Sequence, residues 1–150
     1  PANRLHTLGE DLILLSAAYQ KVVLDLGAGV ERTVRNLANR VNTMLVIATD
    51  EPTALTDAYA FIKVTHMERP NTDIRIVVNM ANSNKEGERT YNTILKACEN
   101  FLKFAPPLAG VIRRDPKVRD SIRAQAPILT RFPNTEAALD VTNIVEKLVI

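Results

Sequence analysis

The chain has 150 residues, 46% hydrophobic and 24% charged, which fits one soluble globular domain with a core of its own. A net charge of +2 and the lack of any long Lys/Arg run argue against direct nucleic-acid binding. The single cysteine, Cys98, has no partner for an intrachain disulfide or a cysteine metal site, so a reducing, cytoplasmic setting is expected.

In chain order, Leu5, Leu8, Leu12, Leu15 and Tyr19 recur every three or four residues and predict an amphipathic helix. This N-terminus lacks a basic region followed by an apolar one, so no signal peptide is expected. Because the chain opens on Pro1 rather than Met, a processed or truncated product of something longer is expected. "KVVLDL" (21–26) reads as a strand buried on both faces, since it does not alternate. Val34, Leu37 and Val41 continue the spacing of Val30 and predict a helix over 30–40. "MLVIAT" (44–49) predicts a second buried strand, and Glu51-Pro52-Thr53 a loop with Thr53 as helix N-cap. Leu55, Tyr59 and Ile62 carry the following helix, which must stop before Pro70. "IRIVVNM" (74–80) predicts the third strand and "NSNKEG" a polar turn. A long helix through Tyr91, Leu95, Cys98 and Leu102 ends before Pro106-Pro107, and "LAGVI" (108–112) predicts a fourth strand. A helix over about 116–125, a Pro127–Pro133 loop and a last helix striped by Ala138, Val141, Val145 and Leu148 complete the chain. No apolar run reaches the roughly 20 residues of a spanning helix. Strands alternating with helices predict an α/β fold, a mainly parallel sheet with helices on both faces.

Ligands of open parallel sheets sit beyond the carboxyl ends of the strands. Polar and turn residues gather at all four predicted ends: Asp25 to Gly29, Thr49 to Thr53, Asn79 to Ser83 and Arg113 to Pro116. Such clustering points to one composite site, although loops at strand ends are polar in any case. Gly27-Ala28-Gly29 is not a dinucleotide fingerprint, because the third glycine would fall on Arg32. No G-x-x-x-x-G-K-[ST] stretch exists, so no phosphate cradle is encoded in these residues. Asp25 suits either a water-mediated Mg²⁺ contact or the N-terminus of the following helix. His6 and His66 lack metal-ligand spacing and read as solvated helix residues, and Ser16, Ser83 and Ser121 lack a nucleophile elbow. Arg113, Arg114, Lys117, Arg119 and Arg123 read first as a solvated basic helix face and second as a contact for an anionic partner.

"VVLDLGAGV", "MLVIATDEPTALTDAYAFIKV", "IRIVVNMANS" and "LAGVIRRDPKVRDSIRAQAPILTRFPNTEAALDVTNIVEKL" resemble, in order, the later part of MinD/ParA-type ATPases of the deviant Walker A class. The flagellar-number regulator branch, called FlhG, FleN or YlxH, shares the Glu-Pro-Thr-x-x-Thr-Asp-Ala-Tyr block in particular. The resemblance runs from about Leu12 to Leu148 and implies that residues 1–150 are the C-terminal part of a single nucleotide-binding domain lacking its P-loop strand. By the same resemblance Asp25 is the switch acid ordering Mg²⁺ and the attacking water, and Gly27 and Gly29 form the loop sensing the γ-phosphate. Asn79 meets the adenine, with Arg113, Asp115 and Pro116 packing beside it, although the family more often has proline and an acid where Arg113-Arg114 stand. Glu51, Thr53, Thr56 and Asp57 lie near the nucleotide and the face where two subunits meet. The implied partners are a second copy and a signal-recognition-type GTPase. The implied cofactors are ATP or ADP with Mg²⁺ in the full-length protein, with none expected to bind this chain tightly alone. Peripheral membrane contact is expected only in a longer form.

Two other readings stay open. One is a non-catalytic interaction fragment of the same family. The other is a phospho-acceptor receiver domain, with Asp25 as acceptor, Thr49 at the next strand end and Glu10-Asp11 as the acidic pair; there Asn79 stands where a lysine is needed.

Overall fold

The computed structural model describes the backbone of residues 2–148 except 28 and 30, and the side chains of those residues except 2–6, 9, 32 and 33. Its elements are α1 (Ala2–Ala18), α2 (Arg32–Ala38), β1 (Thr43–Ala48), α3 (Pro52–Glu68), β2 (Asp73–Ala81), α4 (Asn84–Leu102), β3 (Leu108–Arg113), α5 (Pro116–Arg123), α6 (Ile128–Arg131) and α7 (Glu136–Leu148). The strands form one parallel sheet in the order β1-β2-β3, with Thr43 opposite Asp73 and Ile76 opposite Leu108.

Helices cover both faces of this sheet. On one face, Ala58 and Ile62 of α3 and Ile94 and Cys98 of α4 pack on Val46, Ala48, Ile74, Ile76 and Val78. Ile62, Ile74, Ile76 and Ile94 are essentially fully buried, worth about 2 kcal/mol each. On the other face, Ile144 of α7 packs on Val77 and Ala109. Both helix contacts on β3 are tight enough to require glycine. A Cβ on Gly87 of α4 would lie 2.3 Å from Val111, and one on Gly110 would lie 2.4 Å from Ile144.

Local chemistry explains where the elements begin. Ser83 caps α4, its hydroxyl accepting the Glu86 amide, so "NSNKEG" is mostly the first turn of a helix rather than a turn. Thr53 is not the cap of α3: Pro52 occupies the first helical position, where its fixed φ suits the helix, and Glu51 precedes it. The Pro127–Pro133 loop holds the short α6. Lys103 closes α4 in the left-handed conformation, and the Tyr91 hydroxyl donates to the Pro106 carbonyl, tying α4 to the approach of β3.

Four further expectations need correction. "KVVLDL" is not a strand: residues 21–27 have no regular structure, Val22 is 39% and Val23 89% exposed, and no described strand pairs with them. A β-rich run needs a hydrogen-bonding neighbour to be a strand. β1 is buried on one face only, with Leu45 and Ile47 exposed, because α7 covers β3 and the middle of β2 but not β1 on that side. α1 forms, yet Leu8, Leu15 and Tyr19 of its stripe are exposed. On α7 the buried line runs through Ala137, Ala138 and Ile144, leaving Val145 exposed. The Leu5 side chain and Val30 lie outside the described residues.

Candidate functional site

β2 and β3 pair out of step at their carboxyl ends: Val78 faces Val111 and Ala81 faces Arg113, so β2 carries one extra residue. This bulge falls on Asn79-Met80, with Met80 at φ 59°, a left-handed conformation disfavoured for a residue with a Cβ. The Asn79 side-chain oxygen accepts the Met80 amide at 2.9 Å, which fixes the carboxamide and leaves its NH₂ group without a partner among the described residues. A bulge of this kind re-aims a side chain at a strand end. Met80 is half exposed beside it.

At the end of β3, Arg113 is the hub of an ion network. Its Nε and Nη2 donate to the two carboxylate oxygens of Asp140 at 2.9 Å each, its backbone amide donates to the same carboxylate, and Nη1 donates to Glu136 at 2.6 Å. Asp140 is buried in α7, and this pairing holds the Arg113 guanidinium above its ordinary pKa. Arg113 is therefore a bolt between β3 and α7, not part of a solvated face. Asp115 is likewise occupied: its carboxylate accepts the Lys117 amide at 2.8 Å and the Ala137 amide at 3.3 Å, joining the starts of α5 and α7. Desolvation raises the Asp115 pKa, but these amide bonds outweigh it and hold the carboxyl below the ordinary value. Pro116 opens α5 with its ring exposed.

Glu51, Thr53, Thr56 and Asp57 line the first turns of α3 beyond the end of β1, all exposed. The Thr56 hydroxyl donates to the Pro52 carbonyl. Asp25 is exposed and makes no hydrogen bond or ion pair with any described residue; Gly27 and Gly29 stand in open space, Gly29 at φ 114°. Ala28 lies outside the described residues. The structure thus brings Asn79, Arg113, Asp115 and Pro116 together at one sheet edge, with residues 51–57 at its β1 flank. Asp25 and its glycines are not drawn in.

The Asn79 carboxamide NH₂ is a hydrogen-bond donor and the exposed Pro116 an apolar surface at this end of the sheet. Among the described residues no three His, Cys, Asp or Glu side chains converge as metal ligands, and no lysine-bearing Gly-rich loop occurs. A shallow polar cleft of about 380 Å³, lined by Arg35, Asn36, Asn39, Glu68 and Arg69, lies at the opposite end, where the strands begin. His66 is not solvated: it stacks on Phe104 with ring centroids 4.5 Å apart. The His6 side chain lies outside the described residues.

No protein-family model matches the chain. It is 32% identical over 127 residues to the antiactivator FleN of Pseudomonas aeruginosa, covering 85% of this chain and 45% of that protein. It is 33% identical over 91 residues to the flagellum site-determining protein YlxH of Helicobacter pylori, covering 61% of this chain and 30% of that one. In sequence the chain is a relative of FleN and YlxH, the flagellar MinD/ParA-type proteins. The MinD/ParA-type fold is matched independently by the septum site-determining protein MinD of Pyrococcus horikoshii, solved with Mg-ADP. That match has a TM-score of 0.76 at 18% identity, over 97% of this chain and 56% of that one. The chain spans less than half the length of the two flagellar relatives. No helix among the described residues is long and apolar enough to cross a membrane.

Within this MinD/ParA-type frame, sequence reasoning missed Asp140, Glu136 and Met80. Asp140 sits in a helical stripe beside apolar residues, a position where an acid stays buried only with a partner. That was its one available signal. Nothing in "VVNMANS" announces the bulge.

Proposed function

We propose that the chain is the C-terminal part of a MinD-like ATPase that switches partner binding by ATP-dependent pairing of subunits, in flagellar placement or number control. The observation that carries this reading is the 127-residue alignment with FleN at 32% identity, joined to polar groups gathered at the carboxyl edge of a parallel sheet. In it Asn79 reads the base and Pro116 packs beside it, while Arg113 and Asp115 hold the loop in place rather than touching the nucleotide. Glu51, Thr53, Thr56 and Asp57 lie on the face that meets a second copy, and the switched partner is a signal-recognition-type GTPase. The parent protein works in the cytoplasm, with peripheral membrane contact only in a longer form. In the longer parent Asp25 would be the acid that orders Mg²⁺, whose charge would offset that of the terminal phosphates. This chain supplies neither the lysine nor the backbone cradle for those phosphates, so alone it turns over little ATP. A non-catalytic interaction fragment is the second reading, favoured by Arg113 and Asp115 being fully engaged within the protein.

Isothermal titration of ATP and ADP with Mg²⁺ tests this, on the chain, on Asn79→Ala, and on the protein extended through its upstream reading frame. Expected is nucleotide binding by the extended protein that weakens about tenfold in Asn79→Ala, and little binding by the chain alone. An extended protein that binds no nucleotide overturns the switch reading. Tight binding by the chain alone overturns the dependence on a missing cradle.

A further inference from the structure

α5 is built inside out. Its one buried residue is Ser121, whose hydroxyl donates to the Val118 carbonyl, whereas its aliphatic residues face solvent: Val118 is 37% and Ile122 70% exposed. α6, which packs against α5, exposes Leu129. An isolated exposed aliphatic residue needs no explanation, but Val118 and Ile122 stand one helical turn apart on α5, and exposed apolar surface rimmed by polar groups marks contact sites. The rim is basic. Residues 114–131 hold five basic and two acidic side chains, against a net +2 for the whole chain. Both acids are already engaged: Asp115 caps α5, and Asp120 pairs with Lys117 at 3.0 Å. Arg114, Arg119 and Arg123 are exposed and make no ion pair with any described acid, unlike Arg113.

We infer that α5 and α6 form a docking surface for an acidic amphipathic helix of a partner protein. Its apolar side chains, spaced four residues apart, would cover Val118, Ile122 and Leu129, and its carboxylates would meet Arg114, Arg119 and Arg123. Charge complementarity selects this occupant. Guanidinium groups take carboxylates in two-point geometry, and the adjoining ridge is aliphatic. Nucleic acid would have no use for Val118 and Ile122. A lipid surface would require a longer amphipathic face than an 8-residue helix of roughly 12 Å provides. The surface adjoins the Asn79 cluster at Arg114 and extends away from it along α5 and α6.

The probe is a fluorescein-labelled synthetic helix with leucines four apart flanked by glutamates, titrated with this chain and read by anisotropy. A control peptide carries lysine in place of each glutamate. Expected is saturable binding of the glutamate peptide only, weakened at least tenfold by Ile122→Asp and by the Arg119→Glu/Arg123→Glu pair, and weakened by raised salt. All these positions are exposed, and circular dichroism checks that the variants remain folded. Failure of the glutamate peptide to bind, equal binding of the lysine peptide, or indifference to both variants overturns the inference. So does co-sedimentation of the chain with phosphatidylglycerol-containing vesicles that is lost in Ile122→Asp, which would assign the surface to lipid.

Discussion

Arg113 shows how a residue can sit at a site without acting in it. Its guanidinium is held by a carboxylate with only 8% of its side chain exposed, and a second carboxylate completes the fork. Removing it would strand Asp140 in a low-dielectric setting with only the backbone amide of residue 113 as donor. Arg113→Ala should therefore lower unfolding free energy by about 3 kcal/mol in urea denaturation. The Arg113→Ala/Asp140→Ala double variant should cost less than the two single losses combined. A loss below about 1 kcal/mol would put the pair among ordinary solvated bridges. Cys98 is the opposite case. Burial pushes its thiol up to about 11, so it is a small core residue and no nucleophile.

At the scale of elements, close approach outranks local preference. Alanine is a better helix former than glycine by about 1 kcal/mol, so Gly87→Ala in α4 would stabilise an isolated helix. Here the new methyl meets Val111 at 2.3 Å. The expected result is a net loss of about 2 kcal/mol by thermal or urea unfolding, partly recovered when Val111→Ala makes room. How legible the elements were follows the same division. β2 and α4 could be read from sequence because hydrophobic period and proline punctuation are local properties, and both are flanked by partners that keep them regular. "KVVLDL" looks like a strand in sequence yet forms none, because β propensity reports suitability for a sheet and says nothing about whether a neighbouring strand is present. The strand-end position of Asn79 followed from alternation of strand and helix. The bulge that aims it, and the capture of Arg113 by Asp140 from 27 residues away, depend on pairing between distant segments and leave no periodic trace.

For the whole molecule, the least settled surface is the one around β1. Among the described residues this strand pairs on one side only, and Leu45 and Ile47 look outward, at 41% and 55% exposure. An unpaired strand edge with aliphatic side chains is prone to self-association. Ile47→Lys leaves the buried face untouched, so it should lower light scattering during refolding without lowering the urea midpoint. Unchanged scattering would locate the sticky surface elsewhere, α1 and α5 also exposing apolar residues. The parallel pairing also sets a clock on biosynthesis. Thr43 must wait for Asp73, and Ile76 for Leu108, so each strand emerges from the ribosome about 30 residues before the strand it will pair with. At roughly 5–20 residues per second, β1 spends on the order of 2–6 s in that state. Over that interval the nascent strand's fate rests on whatever else in the cell binds it first.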